Sequence, residues 1–172
     1  MKIKEKYALR RLNKLARNVK RLPGLPKPEA IKTVGVLWQP SQKEAFLYLK
    51  KHFNKGQVIF KEFCVFEETK NLQAGPNCLI TTDLNWWGLP KPGITDDFTN
   101  INFDLLLNIA PIQNFILNYI TALSKAKFKV GCSPNESNYF DLNINIGEKD
   151  DAMYLVKQQI FYIAQLNKTT GK

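Results

Sequence analysis

The chain predicts an α/β protein: a three-layer sandwich, Rossmann-like or flavodoxin-like, with a mostly parallel sheet, an antiparallel edge hairpin and a basic amphipathic helix ahead of it. Three observations carry that expectation. Apolar runs of strand length alternate with segments of helical period, as in a sheet covered on both faces. The first such run, TVGVLW at residues 33–38, is apolar throughout, the signature of a strand buried on both sides. The length of 172 residues suits one domain, and at that size folding buries about 70% of the unfolded chain's surface without help from a metal or disulfide.

The opening helix is expected over residues 1–22. Ile3, Tyr7, Leu12, Leu15, Ala16, Val19 and Leu22 recur three and four positions apart and draw one apolar stripe, with lysines and arginines on the other faces. Pro23-Gly24 should stop it, because proline lacks an N–H and disfavours helical backbone in the residue before it. Residues 23–32 then form a Pro/Gly connector into a single α/β domain at 33–166, with a tail at 167–172. The connector holds GLPKP at residues 24–28, and the same five letters return at residues 88–92. Such a run is stiff and cannot donate at its prolines, which suits a surface connector more than a duplicated unit.

After the first strand, residues 42–53 (QKEAFLYLKKHF) read as a helix capped by Ser41 and ended by Gly56. Residues 58–66 and 78–84 give the second and third strands, and the 67–77 connection is expected to hold a short helical turn. A long irregular stretch, residues 85–102, opens with Trp86-Trp87 and leads to a fourth strand at 103–109. Pro111 is expected to start a helix through residue 125, with Phe115, Ile116, Tyr119, Ile120 and Leu123 inward. The fifth strand, residues 128–131, is separated from a sixth at 139–146 by only residues 132–138. That is too short for a parallel crossover, so a hairpin is expected. In the sixth strand Phe140, Leu142, Ile144 and Ile146 alternate with Asp141, Asn143 and Asn145, marking a half-exposed edge. A last helix runs from Asp150 or Asp151, which cap it, to about residue 166.

Charge is concentrated at the front. Residues 1–32 hold eleven of the 25 Lys and Arg residues and two of the 15 acids, a net +9 out of the chain's +10. Three scattered cysteines (Cys64, Cys78, Cys132) and one histidine (His52) offer neither a zinc pattern nor a disulfide framework, so a reducing cytoplasm is the expected compartment. No apolar run approaches the ~20 residues that span a bilayer, and no apolar signal-peptide core follows the basic start.

Ligands of an open α/β sheet bind beyond the carboxyl ends of its strands. The residues expected there are Trp38, Gln39 and Ser41; Asp83, Asn85 and Trp86; Asn108; and Cys132. They form a candidate ligand rim of polar and aromatic groups rather than a catalytic set. LWQPSQ at residues 37–42 lacks the glycines of a phosphate-cradling turn, and no GxSxG is present. No catalytic residue, metal ligand or cofactor is therefore assigned. Asp83, Asp96 and Asp97 read as turn and cap residues rather than magnesium ligands.

Residues 103–131 (FDLLLNIAPIQNFILNYITALSKAKFKVG) resemble a strand–helix–strand unit in the N-terminal half of heptosyltransferase-type glycosyltransferases, whose nucleotide-sugar-binding half has no room here, so that activity is not carried over. The whole chain, through TVGVLWQPSQ, CLITTDLNWWGLP and YFDLNINI, resembles a small bacterial family of domains of unknown function. That resemblance implies a compact standalone cytoplasmic protein.

The charge distribution favours a non-enzymatic cytoplasmic protein that binds RNA or a ribonucleoprotein, the ribosome included. Lys4, Arg10, Arg11, Lys14, Arg17, Lys20 and Arg21 would neutralise phosphates. Two alternatives stay open: a small-molecule-binding or enzymatic domain using the rim and the Trp86 loop, and peripheral association with an anionic membrane.

Overall fold

The computed structural model describes residues 3–54, 56–66 and 78–169. The helical turn expected within 67–77 lies outside the described residues. Eleven elements follow in order: α1 (Ile3–Arg17), β1 (Thr33–Trp38), α2 (Lys43–Phe53), β2 (Ile59–Val65), β3 (Cys78–Leu79), α3 (Asp96–Thr99), β4 (Leu105–Asn108), α4 (Phe115–Leu123), β5 (Lys129–Gly131), β6 (Leu142–Asn143) and α5 (Ala152–Thr169). The strands form one sheet in the order β3-β2-β1-β4-β5-β6, and every neighbouring pair is parallel. This is the doubly wound order, with its reversal between β1 and β4.

Two apolar layers follow from the alternation along the central strands. Val34 and Val36 of β1 and Leu105 and Leu107 of β4 face α2 and α5. Leu37 and Leu106 face the other way, onto α1, α3 and α4. Leu37, Leu105, Leu106 and Leu107 are wholly buried, each removing apolar surface worth about 1.5–3 kcal/mol. Gly35 belongs to this second face, where a Cβ would lie 2.8 Å from the buried ring of Phe103, so the ring occupies the room that glycine leaves.

The register of β1 on β4 is set at their amino ends by Asp104. Its Oδ2 accepts from the N–H groups of Lys32 and Thr33 at 2.9 and 3.1 Å, and its Oδ1 accepts from Lys127 Nζ at 2.8 Å. Burial alone would raise this carboxyl. The bonds from Lys127, Lys32 and Thr33 outweigh it and bring the pKa down to about 2.

Several expected features come out differently. The edge hairpin is replaced by a parallel β5–β6 pair, with Val130 opposite Leu142 and Gly131 opposite Asn143. Pairing occupies only two residues of the alternating stretch, so residues 132–141 all serve as connection and return the chain to the start of β5. Asn138 Nδ2 turns that return by donating to the Asn135 carbonyl, and Asp141 docks it by accepting from the Lys129 N–H. Strand six is nonetheless the edge of the sheet, as its alternation implied. The first helix ends at Arg17 rather than at Pro23. Tight bonds from Asn18 to Leu15 and from Val19 to Ala16 finish it, and the Gly24 N–H then reaches the Lys127 carbonyl. The helix expected from Pro111 starts at Phe115, where the Asn114 side chain accepts from the Leu117 N–H.

The two GLPKP copies adopt different shapes, as connectors rather than repeats would. The first runs into a short 3-10 turn at Pro28–Ala30. The second turns at Gly88, whose φ of 77° favours glycine, and buries Leu89 and Pro90. Capping of the second helix also moves. The Gln42 side chain accepts from the Gln39 N–H across the Pro40–Gln42 turn, and Ser41 is exposed beside it. Asp151 caps α5 as expected, accepting from the Tyr154 N–H.

Lys129 is a buried lysine with a structural task. Its Nζ donates to the Thr121 and Ala122 carbonyls at 2.6 and 3.3 Å, closing the last turn of α4. Burial pulls its pKa from 10.5 to about 7, and Arg21 adds to that shift while Asp141 opposes it. The unfolded lysine binds its proton below pH 10.5 and the folded one only below about 7, so the stabilisation present at high pH is lost as pH falls toward 7. Between pH 8.5 and 7 the wild-type unfolding free energy should therefore fall with a slope approaching ~1.4 kcal/mol per pH unit. Lys129→Met should flatten it in urea titrations. A wild-type midpoint that does not change over this range would contradict the assignment.

Candidate functional site

The amino-terminal helix belongs to the core. Ala8 and Leu12 of α1 are buried in the layer that contains Ile116 and Ile120 of α4, with Leu15 and Ala16 packed beside them; Leu12 is 0% exposed. Tyr139 donates its hydroxyl hydrogen to Asn13 at 2.9 Å. Beyond the helix, Arg21 pairs with Asp141 and donates to the Ala126 carbonyl at 3.2 Å.

This attachment decides which cations face outward. Lys6, Arg10, Lys14 and Arg17 follow at spacings of four, four and three, which at 100° per residue places them opposite Ala8 and Leu12. All four are exposed, and neither ion pair among the described residues involves them. They make a straight ridge about 16 Å long at 1.5 Å per residue. Glu5 is the one acid between residues 3 and 20. Arg11 leans toward α4: burial pushes the Tyr119 hydroxyl up, Asp96 adds to it, and Arg11 opposes it. Lys20 is exposed beyond the helix end.

At the amino end of α1, to one side of the ridge, Lys4 and Tyr7 meet the tryptophan loop. Lys4 Nζ sits 3.4 Å from the centre of the Trp86 ring, and the Tyr7 and Trp87 rings lie 4.5 Å apart. Trp86 is 76% exposed, whereas Trp87 covers the helix. The loop is rigid by construction. Leu84 bridges Pro90 antiparallel, and Asn85 Oδ1 accepts from the N–H groups of Trp87 and Leu89 at 2.9 and 3.1 Å. Asp83 braces its approach by accepting from the Ile80 N–H. Between loop and helix lies a cleft of about 520 Å³, floored by Ala8, Phe66, Leu84 and Ile116 and rimmed by Lys4 and Trp86.

The expected rim does not assemble into one site. Beyond the carboxyl ends of β1 and β4, amide side chains bond to the protein itself. Asn108, wholly buried, donates to Gln113 Oε1 at 2.8 Å and accepts from the Ala110 N–H, while Gln159 donates to the Asn108 carbonyl at 2.8 Å. Gln39 donates to the Phe66 carbonyl. Trp38 turns to the other face and stacks on Phe46 at 4.5 Å. Cys132 lines a separate cleft of about 340 Å³ with Gln113, Asn118, Ser133 and Lys149. Burial pushes its thiol up, away from a reactive thiolate. Asp83, Asn85 and Trp86 belong to the tryptophan loop instead.

Of the seven basic residues singled out from the sequence, Arg10, Arg11, Lys14, Arg17 and Lys20 are exposed, Lys4 covers Trp86, and Arg21 is engaged with Asp141. Lys6 joins the ridge although it was not among them. Its four-residue spacing from Arg10 was the available signal.

A doubly wound α/β domain with a basic helix packed on one face of its sheet is the class of protein defined here. The chain belongs to the family of unknown function DUF6913, whose model matches residues 4–166. No curated protein and no solved structure matches it. The likeness of residues 103–131 to heptosyltransferases thus gains no support, and β4–α4–β5 is the strand–helix–strand unit any parallel sheet contains. Among the described residues, no helix is long and apolar enough to cross a membrane.

The packing of α1 sets a test by contrast. Leu12→Ala should cost about 2–5 kcal/mol, as buried leucines do, whereas Ile3→Ala, at an 84% exposed position of the same helix, should stay within about 0.5 kcal/mol. Equal effects in chemical denaturation would mean that α1 is not docked.

Proposed function

We propose that this protein binds single-stranded RNA, with the sugar–phosphate backbone along Lys6, Arg10, Lys14 and Arg17 and a base against Trp86. The observation that carries this reading is the outward ridge of α1, on a helix docked through Leu12, with an exposed tryptophan against Lys4 at the same end of the helix. Cations on a fixed helix bind phosphates at little ordering cost, and each phosphate neutralised releases counterions. An exposed aromatic face beside a basic track stacks bases of any identity, which favours single strands over duplex.

The reading requires no catalysis. A ribonucleoprotein partner would use the same surface. The membrane alternative has less behind it, because Ala8 and Leu12 of the helix's apolar stripe are already buried against α4.

Anisotropy titrations of the full chain with a fluorescent oligouridine, repeated across salt concentrations, test the proposal. Replacing Lys6, Arg10, Lys14 and Arg17 by Gln should reduce the slope of log K against log salt by about 3. Trp86→Ala should weaken oligouridine by about 1–3 kcal/mol while leaving the weaker duplex binding unchanged. No binding at low salt, or an unaltered slope in the fourfold variant, would refute it.

A further inference from the structure

Two cysteines fourteen positions apart in the chain become neighbours at the edge of the sheet. Cys64 of β2 and Cys78 of β3 are Cα partners in parallel register, and their Sγ atoms approach to 2.6 Å. Phe63 and Val65 of β2 and Leu79 of β3 belong to the α1/α4 layer, so both cysteines point to the opposite face. There Trp38 of β1 continues the row, in register with Cys64. Adjacent strands lie about 4.8 Å apart, inside the roughly 4.4–6.8 Å between Cα atoms that a disulfide spans. Cys64 is buried and Cys78 half-buried, so a small oxidant meets Cys78 first.

We propose that Cys64 and Cys78 are a redox-active dithiol that closes to an intramolecular disulfide on reaction with a hydroperoxide. The Cys78 thiolate attacks one peroxide oxygen and breaks the O–O bond, leaving a sulfenic acid on Cys78 and releasing water or alcohol. The Cys64 sulfur then displaces the hydroxyl, forming the S–S bond and releasing a second molecule, water. Two thiols lose two electrons and two protons in total, and the peroxide takes up both.

The structural consequence is local. Among the described residues, β3 is held to the sheet by two register pairs, Cys64–Cys78 and Val65–Leu79. It passes within two residues into the Thr81–Asp83 turn and from there into the loop of Trp86. A covalent tie at one of the two pairs pins that whole approach to the sheet. The pair stands independently of RNA binding. Cys132 provides an internal comparison, since it follows β5, three strands from β2.

The full-length protein, reduced and then treated with one equivalent of hydrogen peroxide, is alkylated and mapped by mass spectrometry without reduction. Trypsin can cut at Lys70 between the two cysteines. The expected product has lost two hydrogens, joins the peptides of Cys64 and Cys78, leaves Cys132 alkylated and reverts with dithiothreitol. Cys78→Ser and Cys78→Ala should each abolish the linkage, and Cys132→Ser should leave it intact. Amides of residues 79–84 should exchange at least ~10-fold more slowly in the oxidised form. Three alkylated cysteines, sulfinic acid without linkage, a disulfide involving Cys132 or a second chain, or linkage without slower exchange would each overturn the proposal.

Discussion

The burial of Ala8 and Leu12 against α4 is the contact on which the rest of this molecule depends. Without it, a 15-residue helix rich in like charge would be marginal in water. With it, the helix has one permitted rotation, and that rotation sends Lys6, Arg10, Lys14 and Arg17 to solvent in a line. The same docking positions Tyr7 against Trp87 and Lys4 over Trp86, so one side of the tryptophan cleft is made by α1 itself. The basic segment, whose apolar stripe the sequence shows, is thereby part of the fold, and its charge has an address.

The sheet explains why function is sought at this periphery. Doubly wound sheets usually offer a ligand the crevice where strand order reverses. Here Gln39 ties the end of β1 to the end of β2, and Asn108, held by Gln113 and Gln159, ties the end of β4 to α5. The turn after β1, at residues 39–42, carries no glycine that could cradle a phosphate. Exposed chemistry is displaced to the outer helix and the Trp loop.

Much of this was legible from local pattern. The apolar run at 33–38, the alternation at 140–146 and the aspartate cap near 151 each carry their own signal, because burial on two faces, burial on one face and helix capping leave distinct residue patterns. Features set by distant contacts were not legible. The direction of β6 depends on where pairing begins, and Tyr139 and Phe140 share the strand's alternation while serving as connection. The helix end at Arg17 is decided by Asn18 and Val19 closing the last turn and by Arg21 reaching Asp141, 120 positions away. At the site, the basic composition was visible, but which cations face outward needed the docking of Leu12. The pairing of Cys64 with Cys78 needed the register of two strands whose connection says nothing about it.

The central claim is that α1 is a docked, rigid element, and amide hydrogen exchange on the full-length protein tests it most directly. Amides of residues 8–15 should exchange as slowly as those of β1 and β4, through the same global opening. Exchange of α1 at the rate of an isolated helix, while β1 and β4 remain protected, would contradict the account and reduce the ridge to a loose basic arm.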